Sequence, residues 1–317
     1  MPMSLTPSLP VIDLSQAQGL PERLDQACRE HGFFYLSGHG LDAGQRDAVF
    51  DASRRFFALS EAAKAQWHVD LSQHRRGFDP IGWQALEPGQ PGDFKESFYL
   101  GVDRGPQDPL VLAGTPNQGP NQWPDEALVP GFKAATQAYE QGLNALARRV
   151  LSFMALGLNL PTDHFEAFLR DPMPVLRLLH YPAQPPQGQL LPGQIGCGAH
   201  TDWGSITLLD QDEAGGLQVQ SAAGDWFDVP PLPGCLVVNL GDMMARWTND
   251  RYRSTPHRVI NPTGRERYSM AYFFDMDYHA VVQALPGCFS DANPPRYPPT
   301  TAGQHIIEMY ERTVASH

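Results

Sequence analysis

Apolar and polar positions along the chain alternate with two different periods, and the changeover divides it into a mixed helix-and-strand amino-terminal part and a strand-rich remainder. Residues 9–14 read as a short strand. Residues 20–31 read as an amphipathic helix with Leu24, Ala27 and Cys28 on one side, ended by Gly32. Phe33-Phe34-Tyr35-Leu36 reads as a buried strand stopped by the turn-forming Ser37-Gly38-His39-Gly40. Helical spacing returns over residues 43–59 through Val49, Ala52, Phe56 and Phe57, and Ser60 is placed to cap a further turn beginning at Glu61. Arg75-Arg76-Gly77-Phe78 opens a glycine-rich, aromatic segment that runs to Asp93, and residues 94–100 then alternate like a strand.

Residues 101–123 are rich in Pro, Gly, Asn and Gln and predict a long ordered loop or linker. Residues 131–158 carry the longest helical pattern, with Phe132, Ala135, Tyr139, Leu143, Leu146, Val150 and Phe153 on one side, which predicts a helix backing a sheet with Arg148 and Arg149 on its solvated face. A short helix is expected up to about residue 170. Strands then follow at 174–180, 199–209, 215–220, 226–229, 235–240 and 269–274, and a last helix at 301–314. So many short strands separated by turn chemistry predict an α+β fold whose core is a jelly roll, a double-stranded β-helix with flanking α-helices. The expected division is an amino-terminal module at 1–120, backing helices at 121–170, the jelly-roll core at 171–280 and a carboxy-terminal helical region at 281–317.

Composition narrows the partners. With 317 residues, 42% of them hydrophobic, the chain can bury a large core, and a net charge of −12 argues against nucleic-acid binding and for a small-molecule substrate. Cys28, Cys197, Cys235 and Cys288 are widely spread and show neither metal-ligand spacing nor a disulfide framework; Cys197 reads as a small buried hydrophobe. No signal-like run opens the chain and no stretch is long and apolar enough to span a bilayer, so no membrane partner and a cytoplasmic location are expected.

The candidate chemistry lies in Gly198-Ala199-His200-Thr201-Asp202-Trp203-Gly204. On a strand, His200 and Asp202 point to the same face and can bind one cation, given a third ligand from elsewhere. Two imidazoles and a carboxylate on one face of an octahedron leave three positions open, the arrangement used for non-haem Fe(II) and oxygen chemistry. Two similar triplets, His68-Val69-Asp70 and His164-Phe165-Glu166, fall in helical stretches where positions two apart diverge around the axis, so they are not ligand pairs. Arg267 and Ser269 are also two apart at the start of a strand-like run, and a guanidinium fork with a hydroxyl suits a carboxylate.

His200-Thr201-Asp202-Trp203-Gly204, then His257, then Arg267-Tyr268-Ser269 resembles the iron site of the 2-oxoglutarate-dependent dioxygenases related to isopenicillin N synthase, and the amino-terminal segment is similar to that family's amino-terminal module. The resemblance implies Fe(II) held by His200, Asp202 and His257, and 2-oxoglutarate as co-substrate with its far carboxylate on Arg267 and Ser269. It further implies O2 as second co-substrate, ascorbate as reductant, and release of succinate and carbon dioxide as a small molecule is hydroxylated, desaturated or cyclised. Tyr181 matches a family tyrosine that donates to the same carboxylate. Leu179 stands where the family pattern has Asn, and Ala183 where isopenicillin N synthase has a second tyrosine. In relatives the segment holding Arg75, Arg76, Phe78 and Trp83 borders the substrate pocket, and the last helix packs near its opening. Asp242 is expected in a turn and His279 away from the iron, while Trp203 and Trp247 either line the pocket or pack in the core. His31 and His39 are expected to be structural.

The motifs leave alternatives open: an oxidase like isopenicillin N synthase, without 2-oxoglutarate, in which Arg267 and Ser269 grip a substrate carboxylate; an enzyme that fragments 2-oxoglutarate to ethylene; or a non-catalytic sensor. Neither the substrate nor the oligomeric state is readable.

Overall fold

The computed structural model of the chain describes residues 9–183, 190–261 and 264–314; the expectation that no signal run opens the chain falls on residues outside these. Strand β1 (Val11–Asp13) leads into α1 (Leu20–Glu30), which buries Leu20, Leu24, Ala27 and Cys28, the side its periodicity predicts. Gly32 follows at φ +64°, where a Cβ would run into the Arg253 carbonyl oxygen. Only glycine lets α1 pass so closely over the 253–255 segment into β2 (Phe33–Ser37). Helix α2 (Ala43–Phe57) is capped by Asp42, whose carboxylate accepts the Gln45 N–H at 2.8 Å, and Ser60 caps α3 (Glu61–Lys64) in the same way.

Strands β3 (Gly77–Asp79) and β4 (Glu96–Gly101) precede the proline-rich stretch, which carries one short helix, α4 (Pro109–Leu112). Helix α5 (Phe132–Gly157) buries Phe132, Tyr139, Leu143, Leu146, Val150 and Met154. Its arginines are not simply solvated: Arg148 donates to Glu166 and the Leu169 carbonyl, and Arg149 to the Leu14 carbonyl, so each ties α5 to a neighbouring segment. The short helix expected near residue 170 is a 3-10 turn, His164–Phe168.

After β5 (Val175–Tyr181) the structure departs from the single strand expected at 199–209. Two strands form there, β6 (Cys197–His200) and β7 (Ile206–Gln211), and they belong to different sheets. The break has a physical cause in Asp275, whose carboxylate fills the space a Cβ on Gly204 would need and accepts the Ser205 N–H at 2.8 Å. The turn at 201–205 thereby crosses from one sheet to the other, and Asp202 lies on it.

The chain continues through β8 (Leu217–Gln220), β9 (Trp226–Asp228), β10 (Leu236–Leu240), α6 (Asp242–Trp247), β11 (His257–Val259), β12 (Arg267–Phe274), β13 (Val281–Val282), β14 (Thr300–Thr301) and α7 (Ala302–Val314). Eight strands form the major sheet in the order β1-β2-β10-β7-β12-β5-β4-β3, and four form the minor sheet, β6-β11-β8-β9. Alternation along each major strand then separates two cores. Leu176, Leu178, Leu208, Val238, Met270 and Tyr272 point outward and pack with α1, α2 and α5. Phe33, Tyr35, Leu179, Tyr181, Val237 and Ala271 point inward and meet Cys197, Leu217, Val219 and Val259 of the minor sheet. Among the described residues no helix is long and apolar enough to cross a membrane.

Candidate active site

Strands β6 and β11 run antiparallel with His257 opposite His200, and the turn after β6 folds Asp202 back toward both rings. The Asp202 Oδ1 lies 3.8 Å from His200 Nε2 and 3.6 Å from His257 Nε2, and the candidate ligand atoms of all three residues fall within 4.8 Å of one another. A single ion about 2 Å from each ligand imposes spacings of this order. Each of the remaining polar atoms is already engaged. His200 Nδ1 meets the Gly198 carbonyl at 2.9 Å and His257 Nδ1 meets the Thr255 carbonyl at 3.2 Å; a carbonyl only accepts, so both rings carry their proton on Nδ1 and present a bare Nε2. Asp202 Oδ2 accepts from Thr207 Oγ1 at 2.5 Å and Asn239 Nδ2 at 2.6 Å, leaving Oδ1 for the shared centre.

The protonation states match this geometry. Burial, and then His200, push His257 down to about 4, and burial lowers His200, so both imidazoles are neutral at pH 7. Burial works to raise Asp202, but the two histidines, Thr207 and Asn239 outweigh it and hold the carboxyl below its ordinary range. Two neutral imidazoles and one carboxylate are the form in which a divalent cation binds. The donor set therefore fits Fe(II).

The inward face of β12 carries Arg267 and Ser269, opposite Tyr181 and Leu179 of β5. Arg267 is 1% exposed and fixed on three sides: Nε donates to the Gly215 carbonyl at 2.7 Å, Nη1 to Ser269 Oγ at 2.9 Å and Nη2 to Gln211 Oε1 at 3.1 Å. A guanidinium has five N–H groups, so one on each Nη has no partner among the described residues and can donate to a carboxylate. The Tyr181 ring lies under the guanidinium, 4.6 Å from it, and burial raises its phenol, which stays a donor.

The structure sorts the other candidates. His68 bonds the Asp70 amide and meets Trp83 edge-on, while His164 packs on Phe165 and Phe168; neither joins a ligand cluster. Asp242 begins α6 instead of a simple turn, donating its N–H to the Asp202 carbonyl and accepting from Thr201 Oγ1. Trp247 is fully buried against Phe165 and Phe168, His279 is exposed, and His39 accepts the Leu41 N–H. Arg76 and Phe78 turn into the protein, Arg76 to the His74 and Asn117 carbonyls and Phe78 to Phe56. Arg75, at φ +56°, reaches the Tyr310 ring of α7, which also meets Trp203 edge-on. Helix α7 thus lies beside the turn that carries Asp202.

Several residues that build the site carry no motif. Thr207 and Asn239 are polar groups inside apolar strands, and that pattern is the signal that could have found them, since such groups are buried only with partners. Arg177, on the same inward face as Tyr181, donates through Nε and Nη2 to Ser97, Asp79 and Gln84, while among the described residues its Nη1 has no partner. Asp79 Oδ1 is likewise buried without one. Lys95 pairs with Asp93 in the same interior.

Comparison with known proteins agrees with this architecture. Residues 172–276 match the model of the 2OG-Fe(II) oxygenase superfamily, and residues 9–126 match that of the non-haem dioxygenase in morphine synthesis N-terminal region. The chain is 39% identical to the 2-oxoglutarate-Fe(II) type oxidoreductase hxnY of Emericella nidulans, over 96% of this chain and 90% of that one. It is similar to the crystal structure of a full-length Neurospora crassa protein in complex with alpha-KG and thymine, at TM-score 0.84 and 30% identity over 98% of this chain and 97% of the other. The structure of the dioxygenase for auxin oxidation in rice is similar at TM-score 0.73 and 27% identity, over 96% of each chain. With a jelly-roll core of this topology and relatives of that kind along almost its whole length, the chain belongs to the 2OG-Fe(II) oxygenase superfamily and is a 2-oxoglutarate-dependent Fe(II) oxidoreductase.

Proposed function

We propose that His200, Asp202 and His257 hold Fe(II), that Arg267, Ser269 and Tyr181 receive the far carboxylate of 2-oxoglutarate, and that a small molecule is oxidised in the space between the two sheets under α7. The observation that carries this reading is the convergence of one ligand atom from each of the three metal candidates within 4.8 Å, with all their other polar atoms satisfied elsewhere. Iron and 2-oxoglutarate supply the oxidising chemistry, with O2 consumed and succinate and carbon dioxide formed. The protein's own part is to keep both imidazoles neutral, to aim Oδ1 of Asp202, and to fix a carboxylate on a guanidinium that cannot rotate away.

Arg177 gives the substrate reading its chemistry. Its Nη1, without a partner among the described residues, has only donors to offer, so the substrate presents an acceptor, a carbonyl or a carboxylate oxygen. Thymine, held by the Neurospora crassa protein, is a small planar molecule with such oxygens. The order of the iron motifs supports assignment to an isopenicillin N synthase-like branch, and four unpaired cysteines fit a reducing cytoplasm.

The test is an anaerobic titration of the Fe(II)-loaded protein with 2-oxoglutarate, followed by O2 uptake and succinate formation across a panel of small carbonyl and carboxylate compounds. A weak visible band at one equivalent and substrate-stimulated succinate are expected. A protein that binds Fe(II) but shows neither would defeat the proposal.

A further inference from the structure

Strand β6 ends the minor sheet, and among the described residues only one of its edges pairs with a strand, β11. An unpaired edge leaves amides without partners and lets a strand shift. Here the loop before β4 supplies partners from two side chains and one backbone amide. Asp93 Oδ1 accepts the Gly198 N–H at 2.8 Å, Glu87 Oε2 accepts the Ala199 N–H at 3.3 Å, and the Phe94 N–H donates to the Ile195 carbonyl at 2.8 Å. The fit at Gly198 is close: a Cβ would lie 2.8 Å from Glu87 Cβ and 2.9 Å from Glu87 N.

The peptides so held are the ones that orient His200. Asp93 fixes the amide of Gly198, and the carbonyl of the same residue fixes His200 Nδ1. Asp93 and Lys95 are each 3% exposed and bonded to one another, so each compensates a charge that would be costly to bury alone. Lys95 Nζ also lies 3.5 Å from Cys197 Sγ, itself 3.9 Å from His200 Nδ1. Neither charged side chain bonds the imidazole itself, whose Nδ1 meets the Gly198 carbonyl and whose Nε2 faces Asp202.

We propose that Asp93, its buried charge compensated by Lys95 and its hold on the strand assisted by Glu87, positions His200, so that metal affinity depends on side chains that are not themselves ligands; this rests on the assignment of His200 as an iron ligand. An ion pair that served stability alone would alter melting temperature and leave metal binding as it was. A carboxylate that places the ligand strand must change the metal site when its acceptor oxygen is lost, and must not when the oxygen is kept without the charge.

Two double variants separate these cases. Asp93→Asn with Lys95→Met removes both charges but keeps an acceptor for the Gly198 amide; Asp93→Ala with Lys95→Met removes the acceptor too. Co(II) binding to the full chain is measured by titration together with its visible ligand-field spectrum, with the exposed Lys133→Met as control. The Ala-containing pair is expected to bind Co(II) about tenfold more weakly with an altered spectrum, and the Asn-containing pair to stay within about threefold of the parent. Equal affinity in all three proteins, or equal loss in both double variants, overturns the proposal. If the Ala-containing pair does not fold, the half-buried Glu87→Ala gives the same readout: about two- to threefold weaker binding supports it and no change overturns it. A parent protein that binds no Co(II) overturns the ligand assignment and this proposal together, which distinguishes the two failures.

Discussion

His257 lies directly across the β6–β11 ladder from His200, and their rings tilt together with centroids 4.3 Å apart. The pairing register alone therefore brings two imidazoles from distant parts of the sequence to one point, and Phe33 braces the second ring edge-on at 5.2 Å. Replacing either histidine, or Asp202, by Ala removes one of the three proposed ligands. Each variant is expected to lose metal in gel filtration and to form no succinate, while His68→Ala and His164→Ala retain both. Equal loss in the two groups would refute the assignment.

Asp202 is aimed by Asn239 and Thr207, which hold its Oδ2. Asn239→Ala leaves the carboxylate one donor short and free to turn, and metal affinity should fall roughly 10–100-fold, as is usual when a partner of a ligand is removed. Thr207→Ser keeps the hydroxyl and should bind metal nearly as well as the parent. Titration with Fe(II) under argon reads both, and an Asn239→Ala protein with parental affinity would show that Thr207 and the 201–205 turn orient Asp202 without it.

Arg267 is the proposed anchor of a different ligand, 2-oxoglutarate. With its Nε held by the Gly215 carbonyl and, among the described residues, one donor without a partner on each Nη, it is preorganised for a carboxylate. Arg267→Lys replaces a fork by a point charge. The expected result is a 2-oxoglutarate KM raised at least about tenfold with metal affinity unchanged. Unchanged KM would mean that the co-substrate is anchored elsewhere.

Arg177→Met removes the open donor while keeping a side chain of similar length among Tyr99, Ser97 and Asp79. Substrate KM should rise, and 2-oxoglutarate turnover without substrate should stay the same. If both change together, Arg177 supports the pocket as a whole and does not select the substrate.

What the sequence shows well is what depends on local chemistry. The helix over α5, the Ser60 cap and the buried 236–240 strand follow from periodicity and capping, and the iron motif from residue types at short spacing. What it hides depends on distant packing. The 199–209 stretch alternates like one strand, and only Asp275, far along the chain, breaks it. Asn239 sits in an apolar run with no indication that its partner is Asp202. Lys95 and Arg177 look like the polar face of ordinary strands until the second sheet closes over them.

Asp275 itself yields a prediction with a definite sign. Burial, with the nearby Asp202 carboxylate, pushes its carboxyl up to about 7 against the pull of the Ser205 amide. The folded protein then keeps this proton up to about pH 7, whereas the unfolded chain loses it near the ordinary value of 3.8. Between the two the native state binds more protons, so stability from this group declines as pH rises from about 4 to 7 and stays reduced above. Asp275→Asn keeps an acceptor for the Ser205 N–H and never ionises. In metal-free protein its melting temperature should match the parent at pH 4 and exceed it at pH 8 by at least roughly 2 °C, the shift expected for about 1 kcal/mol in a chain of this size. A difference that is the same at both pH values would mean that Asp275 is ionised in the fold, and that the turn carrying Asp202 is held by a charged, not a neutral, carboxyl.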